Sequence, residues 1–317
     1  MKYNELGKSG LKVSAVGLGT WIIGADMWGK VDDKNSIDAI RQAIDNGINL
    51  IDTAPAYGDG HSEEVIGTAI KGLRERVVIV TKCGIVKDDT NNGRKDLSPK
   101  SIRKEIEASL SRLGIDYIDI YILHWPDVNT PIEETLDEMN SLKKAGKIIH
   151  IGVSNFDEEL LAASMKFSTI SCLQPQLSIL NRDNLGLIEF AENNGIGVLT
   201  YGSLAAGMLT GKITKLPEFT GNDARSFFYP FFKEPMFSKS LRLIEVLHDI
   251  ANEHDKPISS VSINWVIQQK GVSTALVGAK TAEEVKENSI ASTWELTKEE
   301  LQLIDNSYQD IFGSTDR

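Results

Sequence analysis

The stretch Arg76-Val77-Val78-Ile79-Val80-Thr81-Lys82 is a run of apolar and β-branched residues in which polar and apolar positions do not alternate. Such a run is typical of a strand buried on both faces, as in a parallel sheet that helices cover on either side. The stretch therefore predicts an α/β fold.

Similar short runs recur from the N-terminus to the C-terminus and alternate with longer segments of helical period. The predicted strands are Val16–Gly19, Leu50–Asp52, Val77–Lys82, Ile118–His124, Ile148–Val153, Cys172–Gln174, Gly197–Tyr201 and Thr274–Val277. Between them, Ile37, Ile40 and Ile44 follow the spacing of one helix face, and Ser98-Pro99 is a typical helix start. Eight strands alternating with helices predict a closed (β/α)8 (TIM) barrel rather than an open doubly wound sheet, which usually has fewer strands.

Three segments exceed a minimal barrel. Gly7–Gly10 predicts the turn of an N-terminal β-hairpin, and residues 281–310 predict extra C-terminal helices, the last around Glu299–Tyr308. Residues 202–238 form a long connection rich in Gly, Pro and Phe, and a connection of that length is usually a functional lid or disordered. No linker divides residues 1–317, so we expect a single domain.

Composition excludes several classes of function. The 317 residues include 34 Lys and Arg against 45 Asp and Glu, a net charge of -11. This acidity argues against nucleic acid and anionic membranes as partners. The sequence shows neither a signal peptide nor a membrane-spanning stretch. Cys83 and Cys172 suggest no disulfide framework, and the five histidines suggest no metal site, so we expect a cytoplasmic protein without a metal.

Reactive side chains follow three consecutive predicted strands. Asp52 ends the second strand and Tyr57 follows it, Lys82 ends the third, and His124 ends the fourth. Alone, each has a structural explanation: a helix cap, a turn tyrosine, a solvated strand end and a core histidine. Because active sites of such barrels lie at the carboxyl ends of the strands, the four together predict a catalytic cavity.

The chemistry of this set suits proton transfer to a carbonyl oxygen. A tyrosine ordinarily has a pKa of about 10, and we expect the ammonium group of Lys82 to lower the pKa of Tyr57. Asp52 would keep Lys82 charged, and His124 would donate a hydrogen bond to the carbonyl. None of these groups can supply a hydride, so a cofactor is expected.

These residues resemble a known family. The segments Ile51-Asp52-Thr53-Ala54-Pro55-Ala56-Tyr57-Gly58 and Ile122-Leu123-His124-Trp125-Pro126, with Lys82 between them, resemble the tetrad of the aldo-keto reductases. Gly17–Trp21, Ile151–Phe156 and Gly278–Lys280 resemble further landmarks, in the same order. The resemblance is nearest to the bacterial branch acting on sugars, inositol-related ketones and general aldehydes. It implies NAD(P)H-dependent reduction of an aldehyde or ketone, with Tyr57 as general acid.

The resemblance also implies how the cofactor binds, since the sequence contains neither a G-x-G-x-x-G fingerprint nor a P-loop. It implies an extended dinucleotide across the barrel mouth. The implied contacts are Gly19, Thr20, Trp21 and Asp52 near the tetrad, Ser154, Asn155 and Gln174 at the carboxamide, Tyr201 stacked on the nicotinamide, Gly202, Ser203, Leu204, Gly207 and Leu209 at the pyrophosphate, and Gly278, Ala279, Lys280, Glu284, Glu287 and Asn288 at the adenosine.

The resemblance places NADPH first and leaves NADH possible. At the position of Glu284 the family often has Arg or Gln, which helps to hold the 2′-phosphate of NADPH. A carboxylate there would repel that phosphate, whereas Lys280 would attract it.

Expected substrate-binding residues are Trp21, Tyr57, His124 and Trp125, with Phe227, Phe228 or Tyr229 either walling the pocket or anchoring the connection in the core. Two other functions remain open: a Schiff-base aldolase that uses Lys82, and a cofactor-sensing regulatory subunit. The resemblance suggests a monomer or a loose homo-oligomer.

Overall fold

Eight parallel strands form a closed barrel at the centre of the computed structural model, which describes residues 1–24, 27–29, 31–87, 93–219, 221 and 223–313. The barrel strands are β3 (Val16–Gly19), β4 (Leu50–Asp52), β5 (Val78–Cys83), β8 (Ile118–Leu123), β9 (Ile148–Ser154), β10 (Ile170–Gln174), β11 (Gly197–Thr200) and β12 (Val272–Gly278). They are neighbours in chain order, and β12 pairs with β3 to close the ring. The predicted (β/α)8 barrel is confirmed.

Helices surround the strands. They are α1 (Asp33–Asp45), α2 (His61–Ala69), α3 (Pro99–Leu113), α4 (Ile132–Lys144), α5 (Glu158–Ser164), α6 (Leu185–Asn193), α7 (Arg225–Phe228), α8 (Met236–Glu253), α9 (Ile258–Ile267), α10 (Ala282–Ile290) and α11 (Lys298–Phe312). The predicted start of α3 is confirmed: the Ser98 side chain accepts a hydrogen bond from the Ser101 amide, and Pro99 opens the helix. The extra C-terminal helices are α10 and α11.

Several predicted strand ends were displaced by one or two residues. β5 runs from Val78 to Cys83, β8 ends at Leu123, and β11 ends at Thr200. Consequently Lys82 lies one residue before the end of its strand, and His124 lies just after the end of its own. The reason is pairing: Cys83 still has a ladder partner in Leu123, and such partners are a property of the closed barrel rather than of local sequence.

Two hairpins accompany the barrel. The predicted N-terminal hairpin pairs β1 (Tyr3–Glu5) with β2 (Lys12–Ser14). A second hairpin, β6 (Ile85–Lys87) with β7 (Gly93–Lys95), was not predicted. It follows β5 directly and therefore lies at the barrel end where the catalytic residues were expected.

The connection over residues 202–238 is folded into short turns. It contains 3-10 turns at Ala205–Thr210 and Pro230–Phe232, the short helix α7, and the start of α8. Phe231 and Phe232 are buried in the core beneath it. The connection is therefore anchored by aromatic side chains; its residues 220 and 222 lie outside the described ranges.

The apolar core has two parts. The larger lies between the strands and the helices. The smaller fills the barrel interior, where Leu6 and Val13 of the N-terminal hairpin pack with Leu50, Val80 and other inward-facing residues. The hairpin thus closes the amino-terminal end of the barrel and leaves the carboxyl end open for a site. Among the described helices, none is both long and apolar enough to cross a membrane.

Candidate active site

A cavity of about 1100 Å³ opens at the carboxyl ends of the barrel strands. Asp52, Tyr57 and His124 line it together, as predicted. Lys82 lies behind Tyr57 and is fully buried. The structure therefore brings the four predicted catalytic side chains to one place, although they come from three different strand ends.

Lys82 is held by three hydrogen bonds. Its Nζ donates to Asp52 Oδ2 at 2.8 Å, to the Thr53 carbonyl oxygen at 2.8 Å and to the Tyr57 hydroxyl oxygen at 3.1 Å. An ammonium group has three hydrogens, so all of them are used. Because the Tyr57 oxygen accepts a hydrogen bond from Lys82, the phenol's own proton is left to point towards the cavity.

The expected direction of the Tyr57 pKa was wrong. Burial raises the pKa of Tyr57 well above its ordinary value, and the negative charge of Asp52 raises it further. Burial also lowers the pKa of Lys82, which Asp52 partly opposes. The sequence placed the ammonium group correctly but did not reveal how fully the phenol is removed from water. Tyr57 is thus a protonated phenol at neutral pH.

His124 lines the cavity beside Tyr57. Burial lowers the pKa of its imidazole well below the ordinary value, and the charge of Lys82 lowers it further. The ring of His124 stands edge-on to that of Tyr57, with centroids 6.0 Å apart. A neutral imidazole can donate one N–H hydrogen bond, which suits a carbonyl oxygen shared with the Tyr57 hydroxyl.

A hydrogen-bond network joins the residues expected at the carboxamide. Gln174 Nε2 donates to Asp52 Oδ1 at 2.7 Å, and the Ser154 hydroxyl donates to the Gln174 carbonyl at 2.8 Å. Asn155 Nδ2 donates to the His124 carbonyl at 2.9 Å, while its Oδ1 accepts from the Tyr201 hydroxyl, also at 2.9 Å. These four residues line the cavity beside the tetrad and orient one another.

The segment after β11 turns tightly at the edge of the cavity. Gly202, Ala205, Ala206 and Gly207 all have positive φ, of 73°, 47°, 57° and 93°. The Ala205 and Gly207 amides donate to the carbonyls of Gly202 and Leu204, so the segment is a series of tight turns, and tight turns can form anion-binding concavities. Gly202, Ser203, Leu204 and Gly207 line the cavity as predicted, whereas the Leu209 side chain is fully buried in the core.

Most of the residues expected at the adenosine also line the cavity. Gly278, Lys280, Glu284, Glu287 and Asn288 line it, whereas the Ala279 side chain is buried. Glu284 Oε2 accepts a hydrogen bond from the Lys280 amide at 2.6 Å, and Lys280 Nζ donates to the Trp28 carbonyl at 3.1 Å. The Lys280 ammonium is therefore engaged with the loop after β3.

Aromatic rings line the remaining part of the cavity. They are the predicted Trp21 and Trp125, and Phe228 and Tyr229 of the connection. The cavity is also lined by Gly19 and Thr20. Phe227 is 60% exposed and does not line it. The ring of Trp21 lies nearly parallel to that of Tyr57 at 6.1 Å.

Sequence reasoning missed part of this wall. Trp28 packs edge-on against Trp21 at 5.2 Å, and the second hairpin contributes Ile85, Val86 and Lys87. Neither carries a sequence signal, because Trp28 lies in a loop without periodicity and the hairpin strands have only three residues each. Within the described residues, no group of three or more His, Cys, Asp or Glu side chains could hold a metal ion.

Comparison with known proteins agrees with this geometry. Residues 15–309 match the model of the aldo/keto reductase family. The chain is 39% identical to aldo-keto reductase YhdN of Bacillus subtilis (99% of this chain, 96% of the relative) and 39% identical to the NADH-specific methylglyoxal reductase of Escherichia coli (96% and 97%). The structure of glycerol dehydrogenase AKR11B4 from Gluconobacter oxydans superposes with a TM-score of 0.91 at 36% identity (99% and 97%).

The chain belongs to the aldo/keto reductase family. It is an NAD(P)H-dependent oxidoreductase that acts on the carbonyl group of small molecules. The resemblance of its motifs to this family is confirmed.

Proposed function

We propose that the protein reduces a small aldehyde or ketone to an alcohol, with Tyr57 as the general acid. The hydrogen bond from Lys82 Nζ to the Tyr57 oxygen carries this assignment, because it leaves the phenol proton directed at the cavity. Burial keeps the phenol protonated, as an acid must be before it acts.

In the proposed step, a hydride and a proton are added across the carbonyl group. The chemistry expected of bound NAD(P)H is a hydride for the carbonyl carbon. Tyr57 donates its proton to the carbonyl oxygen, and the neutral His124 ring donates a hydrogen bond to the same oxygen. Lys82 stabilises the tyrosinate that remains, while Asp52 and Gln174 hold Lys82 and each other in place. The phenol regains a proton from solvent after the alcohol leaves.

Replacing Tyr57 by Phe tests the assignment. We expect kcat for methylglyoxal reduction to fall by roughly 10²- to 10⁴-fold, because general acid catalysis contributes about that much. Dinucleotide affinity should change little. Tyr121→Phe is the matched control, because Tyr121 is a buried tyrosine on the outward face of β8. Full activity of Tyr57→Phe would exclude Tyr57 as the acid.

Two other outcomes would favour the alternative functions. Tight dinucleotide binding without turnover across a broad panel of carbonyl compounds would favour a regulatory subunit. A borohydride-trapped adduct on Lys82 would favour an aldolase. The three hydrogen bonds of Lys82 oppose that chemistry, since a nucleophilic amine needs a free lone pair.

The cavity fits a dinucleotide. Its volume of about 1100 Å³ exceeds what one small carbonyl substrate requires, and the positive-φ segment after β11 suits a pyrophosphate. Ser154, Asn155, Gln174 and Tyr201 would hold the nicotinamide end, and Gly278, Lys280, Glu284, Glu287 and Asn288 would hold the adenosine end. Gly19, Thr20 and Trp21 would flank the nicotinamide.

For the choice of dinucleotide, we propose NADH. The Glu284 carboxylate is fixed on the cavity wall by the Lys280 amide, where it would repel a 2′-phosphate, while the Lys280 ammonium is engaged by Trp28. One relative with 39% identity is named as NADH-specific. Fluorescence titration with both dinucleotides tests this. Glu284→Gln should raise the affinity for NADPH and thereby reduce the preference for NADH. An unchanged NADPH affinity in that variant would contradict the role of Glu284.

The substrate class follows from the aromatic wall. Trp21, Trp28, Trp125 and Phe228 offer apolar faces that suit a short carbon chain or the apolar face of a sugar. We therefore propose small carbonyl compounds such as methylglyoxal and glyceraldehyde, and sugar-derived aldehydes or ketones. A steady-state panel that includes these and a phosphorylated analogue tests the class.

We also propose that residues 1–317 form one domain, present in the cytoplasm as a monomer or a loose homo-oligomer without a nucleic-acid partner. Support comes from the single closed barrel, the net charge of -11 and the two buried free thiols. Light scattering coupled to size-exclusion chromatography would determine the assembly state.

A further inference from the structure

A buried carboxylate lies behind the turn that carries Tyr57. Glu63 is the third residue of α2 and is fully buried. Its Oε1 accepts a hydrogen bond from the Thr81 hydroxyl at 2.6 Å, and its Oε2 accepts from Arg112 Nε at 2.7 Å, with the Arg112 NH2 group also 2.7 Å away. A buried carboxylate with donors on both oxygens is stable and well oriented.

Arg112 also contacts the turn itself. It comes from the last turn of α3, and its side chain lies against Gly60, which has φ of +92°. A Cβ at Gly60 would approach Arg112 Cδ to 2.5 Å, so the turn is packed closely on the arginine stem. The side chain of Arg112 also lines the cavity.

Gly60, Glu63 and Thr81 lie on the two elements that carry Tyr57 and Lys82. Gly60 and Glu63 continue the chain from Tyr57, and Thr81 immediately precedes Lys82 on β5. The 3.1 Å contact between Lys82 Nζ and the Tyr57 oxygen therefore spans two elements that Glu63 joins directly. A shift of the turn relative to β5 would alter this contact and the direction of the phenol.

We propose that Glu63 and Arg112 are positioning residues for Tyr57: they lock the turn of residues 57–60 to β5 and thereby set the geometry of proton donation. This inference rests on the proposed role of Tyr57 as the acid. It adds two residues from outside the tetrad, which act through the turn rather than on the reacting atoms.

A second ion pair, which also contacts β5, supplies a matched control. Arg74 NH2 donates to Asp119 Oδ2 at 2.7 Å, and the same oxygen accepts from the Ile79 amide of β5 at 2.8 Å. This pair braces β5 at its amino-terminal half, away from Tyr57. Loss of either arginine should destabilise the fold, but only loss of Arg112 should impair the chemical step.

The test compares Arg112→Ala, Arg112→Lys and Arg74→Ala in dinucleotide-dependent reduction of methylglyoxal. For Arg112→Ala we expect kcat to fall about 10- to 100-fold, because small misplacements cost about this much. KM and dinucleotide affinity should stay within about twofold, because Arg112 comes from α3 and is not among the residues expected to bind the dinucleotide. The isotope effect on kcat, measured with deuterium in place of the hydrogen that is transferred as hydride, should rise because hydride transfer becomes more rate-limiting.

Two further readouts separate positioning from a merely structural role. Millimolar guanidinium should partly restore kcat of Arg112→Ala, because this side chain faces the cavity, and Arg112→Lys should lie between Arg112→Ala and the parent chain. Arg112→Ala should also have little effect when added to Tyr57→Phe, because it acts through the lost hydroxyl.

Other outcomes would overturn the inference. These are an unchanged kcat in folded Arg112→Ala, losses of kcat and dinucleotide affinity in equal measure, or a full effect of Arg112→Ala in the Tyr57→Phe background. If Arg112→Ala does not fold, Thr81→Val replaces it in the test, because this variant removes one donor to Glu63 with little change of shape. An unchanged kcat in folded Thr81→Val would then overturn the inference. Should Tyr57→Phe alone be fully active, the proposed function fails instead, and the two failures remain distinguishable.

Discussion

The two ends of the barrel use similar chemistry for different purposes. At the carboxyl end, the Lys82–Asp52 pair lies on the floor of a cavity and contacts the phenol of Tyr57. At the amino-terminal end, the Arg74–Asp119 pair is enclosed by backbone, since Arg74 also donates to the carbonyls of Val77 and Tyr117. Both pairs hold β5.

The difference lies in what each pair faces. Every polar partner of Arg74 and Asp119 is part of the fold, so that pair can contribute only to stability. Lys82 donates two of its three hydrogen bonds to side chains that line the cavity, those of Asp52 and Tyr57, so the Lys82–Asp52 pair also acts on whatever binds there. The two pairs carry the same charges, so charge alone does not distinguish their roles, whereas their surroundings do.

The largest expected effect comes from exchanging the two cations for methionine. Lys82→Met should lower kcat by about 10³-fold, because the tyrosinate formed in the reaction loses its stabilising charge. Arg74→Met should leave kcat per folded molecule within about twofold. Each exchange leaves a carboxylate without its cation and should cost roughly 3–5 kcal/mol of unfolding free energy. Steady-state kinetics measures kcat, and urea denaturation measures the unfolding free energy. Equal losses of kcat in the two variants would contradict the different roles of the two pairs.

The next effect concerns stability at the closed end. Leu6 of the N-terminal hairpin is fully buried in the barrel interior. Leu6→Ala should therefore reduce the unfolding free energy by about 2–5 kcal/mol, while kcat of the folded protein stays unchanged. Leu303→Ala on the exposed face of α11 is the control and should change stability by about 0.5 kcal/mol or less. A drop in kcat of folded Leu6→Ala would show that the two ends are coupled.

A third prediction concerns pH. Burial raises the pKa of Glu105 from 4.5 to about 7, although the Gly84 amide donates to its carboxylate. Between these values the unfolded chain ionises at this position and the folded chain does not, so stability should fall as pH rises from 4.5 to 7. The loss should approach about 3 kcal/mol, at about 1.4 kcal/mol per pKa unit.

Glu105→Gln isolates this contribution, because the amide does not ionise. Urea denaturation of both proteins from pH 5 to pH 8 should show the difference in unfolding free energy changing steadily in favour of the variant. A constant difference across this range would mean that Glu105 ionises in the folded protein as it does in water.

The smallest expected effect is that of pH on kcat. The pKa of Tyr57 is raised well above 10 and that of His124 is lowered well below 6.5, so neither should titrate near neutrality. For the reduction reaction, kcat should therefore vary by no more than about twofold between pH 7 and 9. A decline with an apparent pKa near 8 would show that Tyr57 loses its proton within that range.

The grouping of Asp52, Tyr57, Lys82 and His124 was predictable because its signals are local and ordered. Asp52, Lys82 and His124 each lie at or beside the end of an apolar run, and parallel strands of a barrel bring such ends together. The proposed cofactor-binding residues were suggested only by the family resemblance, since most of them are small or polar and have structural explanations of their own. Leu209 and Ala279 illustrate the limit, because their side chains point into the core.

The sequence by itself determined the alternation of strands and helices, the barrel, and the residues of the tetrad, because hydrophobic period and residue order are properties of the chain. Only the tertiary structure decided the protonation of Tyr57, the wall supplied by Trp28, and the link between Glu63, Arg112 and Thr81. The physical reason is that burial and contact join residues distant in sequence: Gln174 bonds to Asp52 across 122 positions. Desolvation, which sets the pKa of the phenol, exists only once the chain has folded around it.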